Sequence, residues 1–128
     1  MNRVVLLVIF TLLGSAGLSR AADFSGIDAI TKQLATLVKK GSNCEAQLNL
    51  HGKAAISGDA CTYYSDSFHE LWPDQKTMKN TVAGHTHPFM TGEVKCDEKC
   101  ADMLQHVGQL QTAVIYFFDY IDFMNEME

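Results

Sequence analysis

The chain has 128 residues, of which 47% are hydrophobic and 20% are charged, and its formal net charge at pH 7 is −5. This length and apolar content suit one domain with one core and exclude a multidomain organisation. The only arginines are Arg3 and Arg20. Residues 22–128 therefore lack the side chain that most often contacts phosphates and base edges, which excludes nucleic acid as an expected partner.

The first 21 residues have the pattern of a secretory signal peptide: Arg3, an apolar run over 4–13, and small residues up to Ala21. The apolar run is shorter than the roughly 20 residues that span a bilayer. We expect cleavage after Ala21, no membrane insertion of the cleaved chain, and export to the periplasm, or secretion where the host is not a Gram-negative bacterium. Loss of Arg3 and Arg20 changes the formal charge from −5 to −7, because no acidic residue precedes Asp23.

Two helical segments are predicted next. Apolar residues from Phe24 to Val38 recur at steps of three and four, with Ser25 placed to cap this helix and Gly41 placed to end it. The less regular stretch 44–56 is predicted to be a second, shorter helix.

The middle of the chain predicts a third helix and a weaker fourth one. Ser57-Gly58-Asp59 breaks the chain, after which Tyr64, Phe68 and Leu71 share one helical face until Trp72-Pro73. Asp74 is placed to cap a segment that ends near Gly84.

Residues 85–95 contain Pro88 and Gly92 and no apolar period, which predicts an exposed loop. The strongest helical pattern begins after Asp97 and continues to Met124, with acidic residues in its first turn. The predicted fold is therefore all-α: a single domain over 22–128, built as a bundle of four to five helices around a long C-terminal helix.

Four cysteines, an even number in a chain with an export signal, indicate two disulfides. They are Cys44, Cys61, Cys96 and Cys100. Three pairings are possible, and the spacing does not select one. In the chain-entropy model, pairings that join the first two cysteines to the last two would add about 3 to 4 kcal/mol to the free energy of unfolding. The local pairing, Cys44 with Cys61 and Cys96 with Cys100, would add less.

The string His85-Thr86-His87-Pro88 is the sharpest local motif. Two imidazoles one residue apart on a loop can point to the same side and share a metal ion, but a metal site needs further ligands. No histidine or carboxylate nearby stands at a spacing that requires it. We therefore expect no metal and no cofactor, and a periplasmic metal-binding protein using His85 and His87 is the alternative.

No catalytic set is recognisable, and we expect the protein not to be an enzyme. A carboxylate pair such as Glu70 with Asp74 can be nominated from fifteen acidic residues, and a small hydrolase using such a pair is a third hypothesis. A cysteine nucleophile beside His85 or His87 would require an unpaired thiol, which the even count argues against.

Near the C-terminus, aromatic and apolar residues form a band wider than one helical face requires. Its members are Tyr116, Phe117, Phe118, Tyr120, Ile121, Phe123 and Met124. The band either packs entirely in the core or leaves some of its residues on a surface that meets another protein. Tyr116, Tyr120, Phe123 and Asp119 are the interface candidates, and a symmetric homodimer is one use of this surface.

The chain as a whole resembles the small periplasmic immunity proteins that bacteria use against cell-wall-degrading effectors of type VI secretion. The resemblance lies in the cleavable signal, the even cysteine count and the acidic helical domain without a catalytic set. Cys61-Thr62-Tyr63-Tyr64 at a helix start and the long final helix are similar to the family that protects against peptidoglycan amidases, although Thr62 stands where a glycine is expected. A member that protects against a muramidase fits as well.

The resemblance implies an antitoxin that occludes the active site of a cognate cell-wall hydrolase and uses no cofactor. The acidic surface would steer the protein to a cationic enzyme. The predicted loop is the candidate for entering the cleft of that enzyme, and its partner-binding residues are His85, Thr86, His87, Phe89, Met90 and Glu93.

Overall fold

The computed structural model describes residues 23–127, so the predicted signal peptide and its cleavage site lie outside the described residues. Four α-helices follow one another: α1 (Ser25–His51), α2 (Asp59–Leu71), α3 (Gln75–Met90) and α4 (Glu98–Glu126). A 3₁₀ helix (Gly52–Ser57) joins α1 to α2. No strand occurs within 23–127, so the all-α fold is confirmed. None of these helices is long and apolar enough to cross a membrane.

Helix α1 is one continuous element, so the predicted end at Gly41 and the separate helix after it are wrong. Its buried residues keep the helical period through the glycine, from Leu37 to Gly41, Cys44 and Leu48. Gly41 lies against the ring of Phe117 on α4. The glycine permits a close approach of two helices instead of ending one. At the start of α1, Asp23 Oδ1 accepts hydrogen bonds from the backbone N and the Oγ of Ser25, so Ser25 is not the capping acceptor.

Helices α1 and α4 form the central pair of the bundle. Leu34, Leu37, Val107 and Val114 are all buried. The apolar stripe predicted for α4 provides the residues that α4 contributes to this core. The Asp97 side chain accepts a hydrogen bond from the backbone N of Cys100, which confirms the predicted start of the last helix.

Helix α2 packs on α1, contacts α4 through its side chains and has the predicted bounds. Its buried Tyr64 donates a hydrogen bond to the backbone O of Val114, with 2.7 Å between the oxygens. Phe68 lies between Trp72 and Phe118, with ring centroids 5.7 and 4.8 Å away. The helix ends where Trp72 becomes extended before Pro73, as the sequence predicts.

Helix α3 begins at the predicted cap, because Asp74 accepts a hydrogen bond from the backbone N of Thr77. It continues past Gly84 to Met90, so the loop predicted over 85–95 is wrong for 85–90. Pro88 lies in the last turn, where it removes one helical hydrogen bond shortly before the helix ends anyway. Buried contacts hold this turn: Thr86 is buried, and the Phe89 ring stacks on Phe24 at 5.2 Å.

Both disulfides are present, and the pairing is the local one. Cys44–Cys61 joins α1 to α2, and Cys96–Cys100 joins the segment after α3 to the first turn of α4. The sequence left this choice open, because it depends on which helices are neighbours.

Candidate protein-binding surface

Three aromatic side chains follow one another along the exposed side of α4: Tyr116, Tyr120 and Phe123. We call them the aromatic stripe. Their rings are nearly parallel, with centroids 6.0 Å apart for the first pair and 6.4 Å for the second. Tyr116 is 48% exposed and Phe123 is 55% exposed. Large aromatic side chains at such exposures are typical of binding surfaces.

The two tyrosines of the stripe are held in place by α1. Tyr116 Oη donates a hydrogen bond to Glu45 Oε2, and Tyr120 Oη donates one to Asn49 Oδ1, each with 2.5 Å between the atoms. The bond to the Glu45 carboxylate is the main reason that the pKa of Tyr116 is raised. Since Glu45 and Asn49 are one helical turn apart, they match the spacing of the tyrosines. The rings are therefore oriented before any partner binds.

Glu45 and Asn49 were not predicted as site residues. A weak signal exists in retrospect, because two polar residues at i and i+4 flank the buried stripe of α1. It becomes meaningful only when α4 is known to lie beside α1, since these partners are 71 residues apart in the chain.

The aromatic band divides between core and surface, which excludes the alternative that all of it packs in the core. Phe117 is buried and meets Tyr64 edge-on at 5.8 Å, while Phe118 packs on Phe68. Tyr116 and Phe123 are exposed outside this core, although the Tyr116 ring still meets Phe117 edge-on at 5.5 Å. With about 100° per residue, Phe117 lies about 100° around the helix from Tyr116, and Phe118 lies about 140° from Phe123.

Acidic residues flank the stripe. Asp119, Asp122 and Glu126 are exposed and lie on the neighbouring face of α4, and we call them the acidic rim. No lysine occurs in α4 after Lys99. Along its C-terminal half, α4 itself therefore contributes only negative charge beside the stripe.

The six residues predicted as a partner-binding loop do not form one exposed loop, because most of them belong to α3. Thr86 and Phe89 are buried in the core. The His85 ring lies against the backbone of Gly26, and the residue as a whole is exposed to solvent. His87, Met90 and Glu93 are also exposed, and Met90 reaches 71%. These four exposed residues lie in or just after the last turns of α3, and their contact with a partner stays a prediction.

The helical conformation also changes the geometry expected for a shared metal ion. His85 and His87 are about 200° apart around α3, since each residue turns the helix by about 100°. They therefore point to opposite sides and do not converge. Within residues 23–127, no group of three histidine, cysteine or acidic side chains is arranged to hold a metal ion.

Two kinds of nominated catalytic group, Asp74 and the cysteines, have structural roles in the described part of the chain. The Asp74 carboxylate caps α3, and its hydrogen bond from the backbone N of Thr77 is the main reason that its pKa is lowered. All four cysteines are disulfide-bonded, so residues 23–127 hold no free thiol for a cysteine nucleophile.

Comparison with known proteins does not identify the function of this surface. No known protein family, curated protein or solved structure matches the chain. The functional assignment therefore depends on the geometry and charge of the surface itself.

Proposed function

We propose that this chain is an exported binding protein that neutralises a cationic cell-wall hydrolase by covering its active site. The single observation that carries the proposal is the aromatic stripe, which is exposed and yet anchored by hydrogen bonds from Tyr116 and Tyr120. The proposed location is the periplasm, or the exterior of a host that is not a Gram-negative bacterium.

Rigid aromatic side chains are efficient binding groups. Tyrosine and tryptophan dominate interface hot spots because they bury a large area and lose little conformational entropy. In the stripe, the hydroxyl bonds to Glu45 and Asn49 remove part of that entropy before association. A partner that covers Tyr116 and Phe123 would therefore gain apolar burial at a low ordering cost.

Charge supports a cationic partner. The chain has a formal charge of −5, or −7 after loss of the two N-terminal arginines, and the acidic rim lies beside the stripe. Opposite charge raises the association rate and helps to select the partner. Enzymes that act on anionic cell walls are often cationic, and they suit such a surface.

The same charge argues against using the stripe for a homodimer. Two copies placed face to face through α4 would bring their rims of Asp119, Asp122 and Glu126 close together, with no lysine nearby in α4 to compensate. Like charges at short distance destabilise an interface. A different, positively charged protein is the better fit.

The test uses the oxidised chain 22–128 as bait in a lysate of its own organism, with and without a chelator, followed by mass spectrometry. We expect a retained cell-wall hydrolase in both conditions. The purified hydrolase is then assayed by clearing of a peptidoglycan suspension, which the bait should inhibit in stoichiometric amounts. Retained zinc or copper without a protein partner would contradict the proposal and support the metal-binding alternative.

Matched variants connect the inhibition to the stripe. Tyr116→Ala with Phe123→Ala should weaken inhibition by at least about 100-fold, since each hot-spot residue contributes about 2 kcal/mol or more. Tyr63→Ala is the control, because Tyr63 is 60% exposed but lies on α2. Undiminished inhibition by the double variant would reject the stripe as the binding surface.

A further inference from the structure

A cleft of about 400 Å³ lies between α2 and α4, beside the acidic rim. Phe118 and Ile121 are part of its apolar floor. Asp66 and His69 line it from α2, and Asp122 lines it from α4. We call it the α2–α4 cleft. Asp122 belongs both to this cleft and to the acidic rim, so the two features are continuous.

The histidine in this cleft has a defined proton position when its ring is neutral. His69 Nδ1 lies 2.8 Å from the backbone O of Ser65, one helical turn earlier. A carbonyl oxygen can only accept, so Nδ1 carries the proton and donates. Nε2 then has a lone pair and no proton, and it forms no hydrogen bond within residues 23–127. His69 therefore offers the cleft an acceptor.

The two carboxylates add further hydrogen-bond acceptors that have no donor in the described part of the chain. Asp66 and Asp122 are exposed, and neither side chain forms a hydrogen bond or ion pair within the described residues 23–127. No lysine or arginine lines the cleft. A ligand that satisfies these groups must supply donors and positive charge.

The floor suits an organic cation better than a metal ion. The two carboxylates and the imidazole are not close enough to hold one ion, since no group of three metal-ligating side chains is found in 23–127. The Phe118 ring is fixed by Phe68 and Tyr64, with centroids 4.8 and 4.7 Å away. Such a ring attracts an ammonium or guanidinium group and packs on its aliphatic stem.

We propose that the α2–α4 cleft binds an alkylguanidinium or alkylammonium group, with Asp66 and Asp122 meeting the charge and Phe118 packing on the stem. The source is either a lysine or arginine side chain of a partner protein or a free organic amine. This cation site does not depend on the partner being a cell-wall hydrolase. A larger cleft of about 650 Å³ lies beside the 3₁₀ helix. Its lining has one carboxylate, Asp59, and no aromatic ring other than the imidazole of His51, so it is the weaker cation site.

The experiment is a titration of the isotope-labelled, oxidised chain 22–128, followed by the backbone amide signals in nuclear magnetic resonance spectra. The probes are the capped peptides acetyl-Gly-Arg-Gly-amide and acetyl-Gly-Lys-Gly-amide, with the norleucine peptide as the neutral control and agmatine as the free amine. We expect saturable shifts at residues lining the cleft for the cationic probes, with a dissociation constant of about 1 mM. The norleucine peptide should produce none.

Charge-matched variants decide between a site and a general attraction to an acidic protein. Asp66→Asn with Asp122→Asn should weaken binding of the arginine peptide at least about tenfold. Asp28→Asn with Glu70→Gln removes the same charge elsewhere and should leave the affinity within about twofold. Equal effects of the two pairs, or no saturable binding of any cationic probe, would overturn the site. Tighter binding of the peptide than of agmatine would assign the cation to a partner protein, and the reverse order would assign it to a free amine.

Discussion

The Phe117 ring occupies the space into which a side chain on Gly41 would project. A Cβ added to Gly41 would lie 2.7 Å from Cγ of that ring, and both residues are in the middle of long helices. Helices α1 and α4 can approach closely at this point because one of them carries no side chain there.

Gly41→Ala should therefore destabilise the protein by about 1–2 kcal/mol. Overpacking in a dense core costs about 1–3 kcal/mol, and the better helix propensity of alanine offsets up to about 1 kcal/mol of this. Urea unfolding followed by circular dichroism measures the change. Gly108→Ala is the matched control, because nothing lies within 4 Å of a Cβ at that helical glycine. It should stabilise by about 0.5–1 kcal/mol, and equal effects of the two variants would contradict the close approach.

The two disulfides should contribute unequally to stability. Cys44–Cys61 closes a sequence separation of 17 and Cys96–Cys100 one of 4. In the chain-entropy model, these loops correspond to about 3 and about 2 kcal/mol. The double alanine variant of each pair, compared with the parent in urea unfolding, measures the difference. A larger loss from the pair at 96 and 100 would show that native-state contacts outweigh loop entropy here.

Stability should decline at alkaline pH because of Tyr64. Burial raises the pKa of this phenol above its ordinary value of 10.0. The unfolded chain therefore loses the proton at a lower pH than the folded chain does. The contribution to stability is complete below pH of about 10 and decreases as the pH rises beyond it.

Tyr64→Phe tests this dependence. At neutral pH, the variant should lose about 1 kcal/mol, because the hydrogen bond to the Val114 carbonyl is removed. Above pH of about 10 its stability should fall less steeply than that of the parent. Tyr63→Phe, altered at an exposed ring, should keep the parental slope. An unchanged slope in the Tyr64 variant would reject the assignment.

Lys40 should stabilise the contact between α1 and α2. Its Nζ donates a hydrogen bond to the buried Ser67 Oγ at 2.9 Å and lies 4.2 Å from the centroid of the Tyr63 ring. Lys40→Met keeps the stem and should lower the free energy of unfolding by about 1 kcal/mol. Lys39→Met, at an exposed neighbouring position, should change it by less than about 0.5 kcal/mol. Thermal unfolding of the two variants makes the comparison, and equal melting temperatures would contradict the role of Lys40.

Sequence reasoning succeeded where local signals agree. The start of α4 at Asp97 and the end of α2 before Pro73 follow from capping and from the restriction that proline places on its neighbour. It failed at Gly41 and in the last turn of α3, where a helix breaker lies inside a helix. Apolar contacts override local helix propensity at both sites. In α3 the buried face includes the polar residue Thr86, so the apolar period that continues to Phe89 could not be recognised in the sequence.

The exposed aromatic residues of the candidate surface were identified as candidates from the sequence, but their hydrogen-bond partners were not. The excess of aromatic residues in α4 made Tyr116 and Phe123 interface candidates, and both are exposed. The anchors Glu45 and Asn49 and the α2–α4 cleft were missed, because each depends on which residues of α1 or α2 lie beside α4.

By itself, the sequence determined the all-α class, most helix boundaries and the acidic character of the chain, since these follow from periodicity, capping and composition within a few residues. The tertiary structure alone decided the continuity of α1 through Gly41, the pairing of the cysteines, the anchoring of the aromatic stripe and the acceptors that line the cleft. These features join residues far apart in the chain, such as Tyr116 and Glu45 at a separation of 71. Only the packing of the helices brings such residues into contact.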